Sequence, residues 1–135
     1  MGDVSIRLPH RRSLKGMLNE VFTLEKTEVH RLDYVFCSDE YLHQLNLEYL
    51  NHDTLTDILT FTLSGPGEPV EGEIYISTER VEDNARIHQT TFENELHRVM
   101  VHGILHLCGY EDHTPGEKTA MRKKEDHYLK KLAFS

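Results

Sequence analysis

The sequence predicts an α+β fold, with one small mixed β-sheet of about four strands packed against about five helices. Three observations lead there. Short runs rich in β-branched and aromatic residues are interspersed with longer stretches of helical periodicity, without a strict strand–helix alternation. Capping and stop signals punctuate the helical stretches. The 135 residues, 38% hydrophobic and 28% charged, suit one domain spanning residues 1–135 with its own core.

The elements follow in chain order. Val4 to Leu8 alternates apolar and polar residues as a short strand does. Ser13 is a candidate N-cap for a helix to about Leu24, with Leu14, Met17, Leu18, Val21 and Phe22 at helical spacing. Val29 to Cys37 reads as a strand. Ser38, followed by Asp39 and Glu40, starts a helix ending near Tyr49 or Leu50, since a capping oxygen and negative charge both suit a helix N-terminus. Ile58 to Leu63 and Glu73 to Ser77 are two further strands, joined by the exposed loop Ser64-Gly65-Pro66-Gly67-Glu68-Pro69. Thr78 opens a helix to about His88, and Thr91 caps another that runs to Leu107 and stops at Gly109. Thr114-Pro115-Gly116-Glu117 is a capping box with proline at the first helical position, starting a final helix to about Leu132.

Composition narrows the function classes. No apolar stretch is long enough for a membrane span, and Met1 to Pro9 lacks the apolar run of a signal peptide, so the expected compartment is the cytoplasm. Cys37 and Cys108 sit in apolar stretches and read as free thiols. The net charge of −8 argues against a general nucleic-acid binder. A local basic patch would draw on His10, Arg11, Arg12 and Lys15, or on Arg80, Arg86 and Arg98; the plainer reading of these is solvated surface.

The chemistry concentrates in Val101-His102-Gly103-Ile104-Leu105-His106-Leu107-Cys108-Gly109-Tyr110-Glu111-Asp112-His113. Histidines at i and i+4 project from one helix face and can take two corners of a zinc tetrahedron at about 2.0–2.1 Å. With ten histidines in the chain such a pair is weak by itself. Its setting strengthens it, because Val99, Met100, Val101, Ile104, Leu105 and Leu107 make the helix apolar on most sides, and histidines held there need polar partners or a metal. Gly109 lets the chain turn back, bringing Asp112 or His113 as third ligand and leaving a fourth position open, as in catalytic zinc sites and zincin-type turns. Gly103 stands where metallopeptidases of the H-E-x-x-H kind carry their general base, which argues against peptide hydrolysis by that route; close backbone approach or helix packing would explain the glycine.

This segment resembles the signature of the YbeY family of bacterial metal-dependent endoribonucleases, H-G-x-L-H-L-x-G-Y-D-H, at His102, Gly103, Leu105, His106, Leu107, Gly109 and Tyr110. Asn46-Leu47-Glu48-Tyr49 with Thr56-Asp57-Ile58-Leu59-Thr60-Phe61, and Gly72-Glu73-Ile74-Tyr75-Ile76-Ser77, are similar to two further family blocks in the same order. The resemblance implies a zincin-like metal helix, one Zn2+ per chain, and a single-strand-specific endoribonuclease of ribosomal RNA maturation and ribosome quality control. Its implied partners are ribosomal RNA and the small ribosomal subunit. The chain departs from the pattern twice. Asp112 occupies the place of the family's third histidine, with His113 one residue later, and Leu50 replaces an arginine that the resemblance places at the cleft to bind or polarise phosphate. Arg80, Arg98 and His52 are the candidates to replace it.

Glu95 and Arg98 fall within about 40° of His102 on a helical wheel and are candidates for supporting the metal centre or contacting substrate, the simpler reading being a solvent-facing ion pair. Asp57 reads equally as a turn residue before its strand. Two rival functions stay in view: a zinc-dependent peptidase, and a non-enzymatic ribosome-assembly factor in which zinc staples the last two helices. The scarcity of cysteine near the histidines favours the hydrolase over the staple.

Overall fold

A computed structural model describes residues 11–50 and 56–131. The described chain runs α1 (Arg11–Leu24), β1 (Val29–Cys37), α2 (Asp39–Leu50), β2 (Ile58–Thr62), β3 (Val70–Ser77), α3 (Thr78–Ile87), α4 (Phe92–Leu107) and α5 (Pro115–Lys131). The described strands form one mixed sheet of order β1-β3-β2, with β1 parallel and β2 antiparallel to β3. Five helices and a mixed sheet agree with the α+β expectation. The proposed strand Val4–Leu8 lies outside the described residues.

Strand alternation sorts the core into two layers. On β3, Val70, Ile74 and Ile76 join the main core, while Tyr75 faces a smaller cluster of Cys37, Leu42 and Leu59. The small cluster seats α2 on one face of the sheet. The main core seats α4 on the other, with α1, α3 and α5 packed around it. The helix α4 is therefore central: Leu96, Val99, Met100, Val101, Ile104 and Leu105 are all buried. Tyr34 of β1 reaches across to donate a hydrogen bond to the Met100 carbonyl at 3.0 Å.

Gly103 settles between its two readings. A Cβ built there would lie 2.9 Å from Cδ1 of both Ile58 and Ile74, and 3.1 Å from Ile74 Cγ2. The glycine lets α4 press onto the sheet, so it serves packing. Gly103→Val is expected to lower stability by about 2–3 kcal/mol in chemical denaturation, through overpacking. Gly103→Ala should cost less, because the gain of about 1 kcal/mol in helix propensity offsets part of the clash.

The caps hold well. Ser38 Oγ accepts from Tyr41 N, Ser77 Oγ from Arg80 N, and Thr91 Oγ1 from Asn94 N, each at 3.1 Å. The predicted box at α5 is reciprocal, Thr114 Oγ1 accepting from Glu117 N at 3.1 Å and Glu117 Oε1 from Thr114 N at 2.9 Å. Two expectations need correction. The first helix begins at Arg11, so Ser13 lies inside its first turn rather than capping it. The strand β3 begins at Val70, because Val70 and Glu71 already pair with β1. Cys37 is buried and Cys108 half-buried, both as free thiols. No described helix is long and apolar enough to cross a membrane.

Candidate metal centre and its cleft

His102 and His106 lie one turn apart on α4, both half-buried. Their Nε2 atoms are 2.9 Å apart. The Asp112 carboxylate stands 3.4 Å from His102 Nε2 and 3.6 Å from His106 Nε2. Ligands at about 2.0–2.1 Å on tetrahedral corners stand about 3.3–3.4 Å apart, so this spacing matches three corners of one metal polyhedron. Among the described residues this is the one such group, its ligand atoms all within 4.8 Å of one another. His113 is exposed and stands outside it.

The donor chemistry fits a cation. His102 Nδ1 is 2.5 Å from Glu125 Oε2, and His106 Nδ1 is 3.0 Å from the Tyr110 carbonyl oxygen. A carboxylate and a carbonyl only accept, so both Nδ1 atoms carry the proton. In neutral rings the two Nε2 lone pairs then face each other and a carboxylate, an arrangement that repels itself unless positive charge lies between. Burial pulls the His102 pKa down, yet the hydrogen bond and charge of Glu125 outweigh it and hold the ring above the usual histidine range. Burial, with the charge of His102, keeps His106 below that range. A metal entering here competes with protons for His102 Nε2.

The turn after α4 brings Asp112 beside the two histidines. Gly109 adopts φ +105, and the bonds from Gly109 N to His106 O and from Tyr110 N to Leu105 O close a Schellman-type stop. Tyr110 is then held from afar. Its hydroxyl donates to Glu25 Oε1 at 2.7 Å, while Glu25 also accepts from Lys124 Nζ at 3.0 Å and from the Tyr128 hydroxyl. Glu25 thus ties the end of α1 and α5 to the turn that carries the Tyr110 carbonyl and Asp112.

A cleft of about 310 Å³ opens beside His102, walled by Asp57, His88, Glu95, Arg98, Asp112, Lys118, Arg122 and Glu125 among others. A second hollow of about 280 Å³, with Thr56 to Thr60 on its wall, opens on the other side and shares Asp57, His102 and Asp112. The metal centre lies where the two meet. Burial pushes the Asp57 carboxyl above the ordinary carboxylate range, against the opposing charge of His102.

The other sequence candidates divide. Glu95 and Arg98 both reach the cleft, but the solvent-facing ion pair between them is not what forms. Glu95 is buried with Oε1 3.4 Å from His88 Nδ1, and Arg98 donates to Glu125 at 3.1 Å and Asp126 at 2.5 Å. Because α4 is central, Glu95 finds its partner at the C-cap of α3 and Arg98 finds its partners on α5. Arg80 is not brought to the cleft; it pairs with Asp39 at 3.0 Å. Arg86 pairs with Glu82 and Asp83 on its own helix. His52 lies outside the described residues. Sequence reasoning missed Glu125, although a signal exists: it falls in the buried stripe Met121, Glu125, Tyr128 of α5, where a carboxylate needs a partner.

Known proteins resemble this chain along its length. Residues 4–133 match the family described as Endoribonuclease YbeY. A relative bearing that name from Amoebophilus asiaticus is 46% identical over 94% of this chain and 86% of its own. One from Cytophaga hutchinsonii is also 46% identical, over 98% of this chain and 92% of its own. A solution structure of a Thermotoga maritima protein superposes with a TM-score of 0.64 at 33% identity, covering 93% of this chain and 85% of that one. With the blocks around Asn46, Gly72 and His102 in the family's order, the chain belongs to the Endoribonuclease YbeY family.

Proposed function

We propose that this chain, as one domain, is a single-strand-specific endoribonuclease acting in the cytoplasm in ribosomal RNA maturation and ribosome quality control. Its partners in this reading are ribosomal RNA and the small ribosomal subunit. One Zn2+ is held by His102, His106 and Asp112. The observation that carries the reading is the convergence of two Nε2 lone pairs and a carboxylate, with both Nδ1 protons already engaged, at the junction of two hollows.

Two imidazoles and one carboxylate suit zinc, and three protein ligands leave room for substrate. Zinc so held supplies Lewis acidity toward a phosphoryl oxygen and makes water acidic enough to attack near neutral pH. The chain's own residues orient the site. Glu125 and the Tyr110 carbonyl hold the two rings in their Nδ1–H tautomers, aiming both Nε2 atoms at one point. Asp57 stands on the walls of both hollows beside His102 and Asp112, within the cleft where substrate would meet the metal. The peptidase reading loses ground because Gly103, at the position of the metallopeptidase base, is buried against Ile58 and Ile74. A purely structural zinc would want a fourth protein ligand, and the described group has three.

The test is the metal content of untagged protein together with cleavage of single-stranded and duplex RNA of one sequence. The expected result is about one zinc per chain, cleavage confined to the single strand, loss of cleavage on chelation and recovery on adding zinc. Folded, metal-free protein that cuts RNA equally well, or zinc-loaded protein that cuts peptides and not RNA, overturns it.

A further inference from the structure

The cleft beside His102 does not end at the metal centre. It continues between α4 and α5 into a hollow of about 400 Å³, with Arg98 and Arg122 on the walls of both and Lys130 at the far end. On α5, Lys118, Arg122 and Lys130 lie four and eight residues apart and turn through about 120° of the helix, Lys118 and Arg122 on the wall of the first hollow and Arg122 and Lys130 on that of the second, so they line the route from the metal centre outward.

These cations are unspent. Among the described residues, Lys118, Arg122 and Lys130 make no ion pair, and all three are exposed. Of the five acids on these walls, Asp57 stands beside His102 at the inner end and the other four are engaged. Glu125 and Asp126 hold Arg98, Glu95 faces His88, and Asp112 faces the histidine pair. In a chain of net charge −8, three cations without an ion pair, spaced along one groove, are local points of attraction for anions that the overall charge hides. Twelve residues of helix span about 18 Å, the reach of a few nucleotides of extended strand.

We propose that single-stranded RNA leaves the metal centre along this groove, with Lys118, Arg122 and Lys130 taking successive backbone phosphates. The inference rests on the endoribonuclease reading above and adds to it the path of the substrate. Contacts to phosphates carry no sequence information, so the groove holds single strands irrespective of their bases.

The test is the salt dependence of binding of a cleavage-resistant 2′-O-methyl single-stranded RNA of about a dozen nucleotides to zinc-loaded protein, read by fluorescence anisotropy. Wild type is compared with Lys118→Gln/Arg122→Gln/Lys130→Gln, and with Arg12→Gln/Lys15→Gln/Lys26→Gln, which removes the same charge from α1 and its end. At about 0.7 per phosphate contact on a single strand, the groove variant should lose about 2 from the log–log salt slope. Wild type should then lose about 20-fold more affinity than the groove variant between 50 and 200 mM salt, while the α1 variant keeps the wild-type slope. An unchanged slope in the groove variant, or an equal fall in the α1 variant, overturns the proposed path. Wild type that neither binds nor cuts RNA would instead overturn the endoribonuclease reading, a distinct outcome.

Discussion

Asp112→Ala is expected to abolish stoichiometric metal binding and RNA cleavage, and His113→Ala to leave both near wild type. The two residues are neighbours in sequence and both are chemically able to bind zinc. The turn separates them. The Asp112 carboxylate stands 3.4 and 3.6 Å from the two Nε2 atoms, whereas His113 is exposed and its backbone N–H is tied to Glu117 Oε1 at 3.1 Å. Loss of a mere hydrogen-bonding partner of a ligand typically weakens a metal site about 10–100-fold, so loss of a ligand should exceed that. Asp112 is half-exposed and outside the core, so the variant should fold and melt close to wild type. Titrating zinc into apo protein of each variant, with a melting curve beside it, separates the two. Metal retained by Asp112→Ala and lost in His113→Ala would mean that the turn rearranges on loading. The pH dependence should follow His102. Its pKa is raised, so protons compete for Nε2 at higher pH than at an ordinary histidine, and zinc affinity should begin to fall as pH drops through that raised value.

The reasons some of this was legible in sequence and some was not are physical. Local signals acted locally. Thr91, the apolar run of α4 and Gly109 bound the metal helix, and the Thr114–Glu117 box sets the start of α5, because caps and glycine stops are satisfied within a few residues. The histidine pair needs only the helical repeat. The third ligand does not follow from spacing, because the one extra residue in the turn can be absorbed in more than one way. What brings Asp112 rather than His113 to the histidine pair is the conformation at Gly109 together with the hold of Glu25 on Tyr110, a contact between residues far apart in the chain. The partners of Glu95 and Arg98 were hidden for the same reason, since they lie just past the end of α3 and on α5 and only the packing around α4 brings them in. The basic groove escaped notice because Lys118, Arg122 and Lys130 are diluted along α5 by Glu117, Glu125 and Asp126. Only the ion pairs of the folded chain show which charges remain.

Glu125→Ala should damage both stability and metal affinity, and Glu125→Gln should damage stability while sparing much of the metal site. Glu125 is 5% exposed and accepts from Arg98 Nη1 at 3.1 Å with one oxygen and from His102 Nδ1 with the other. Removing it leaves a largely buried guanidinium with Asp126 as its remaining partner and leaves the His102 Nδ1–H unpaired. Breaking a buried ion pair costs about 3–5 kcal/mol, and the surviving Asp126 contact puts Glu125→Ala near the low end of that range. With its ring unanchored, His102 should bind zinc about 10–100-fold more weakly. Glutamine keeps an oxygen able to accept the Nδ1 proton, so the tautomer survives and the affinity loss should be smaller, while the missing charge still weakens the hold on Arg98. Metal titrations and denaturant midpoints on both variants therefore report two different functions of one side chain. Equal zinc affinity in Glu125→Ala and wild type would mean that packing around α4 holds His102 in place without help from the carboxylate.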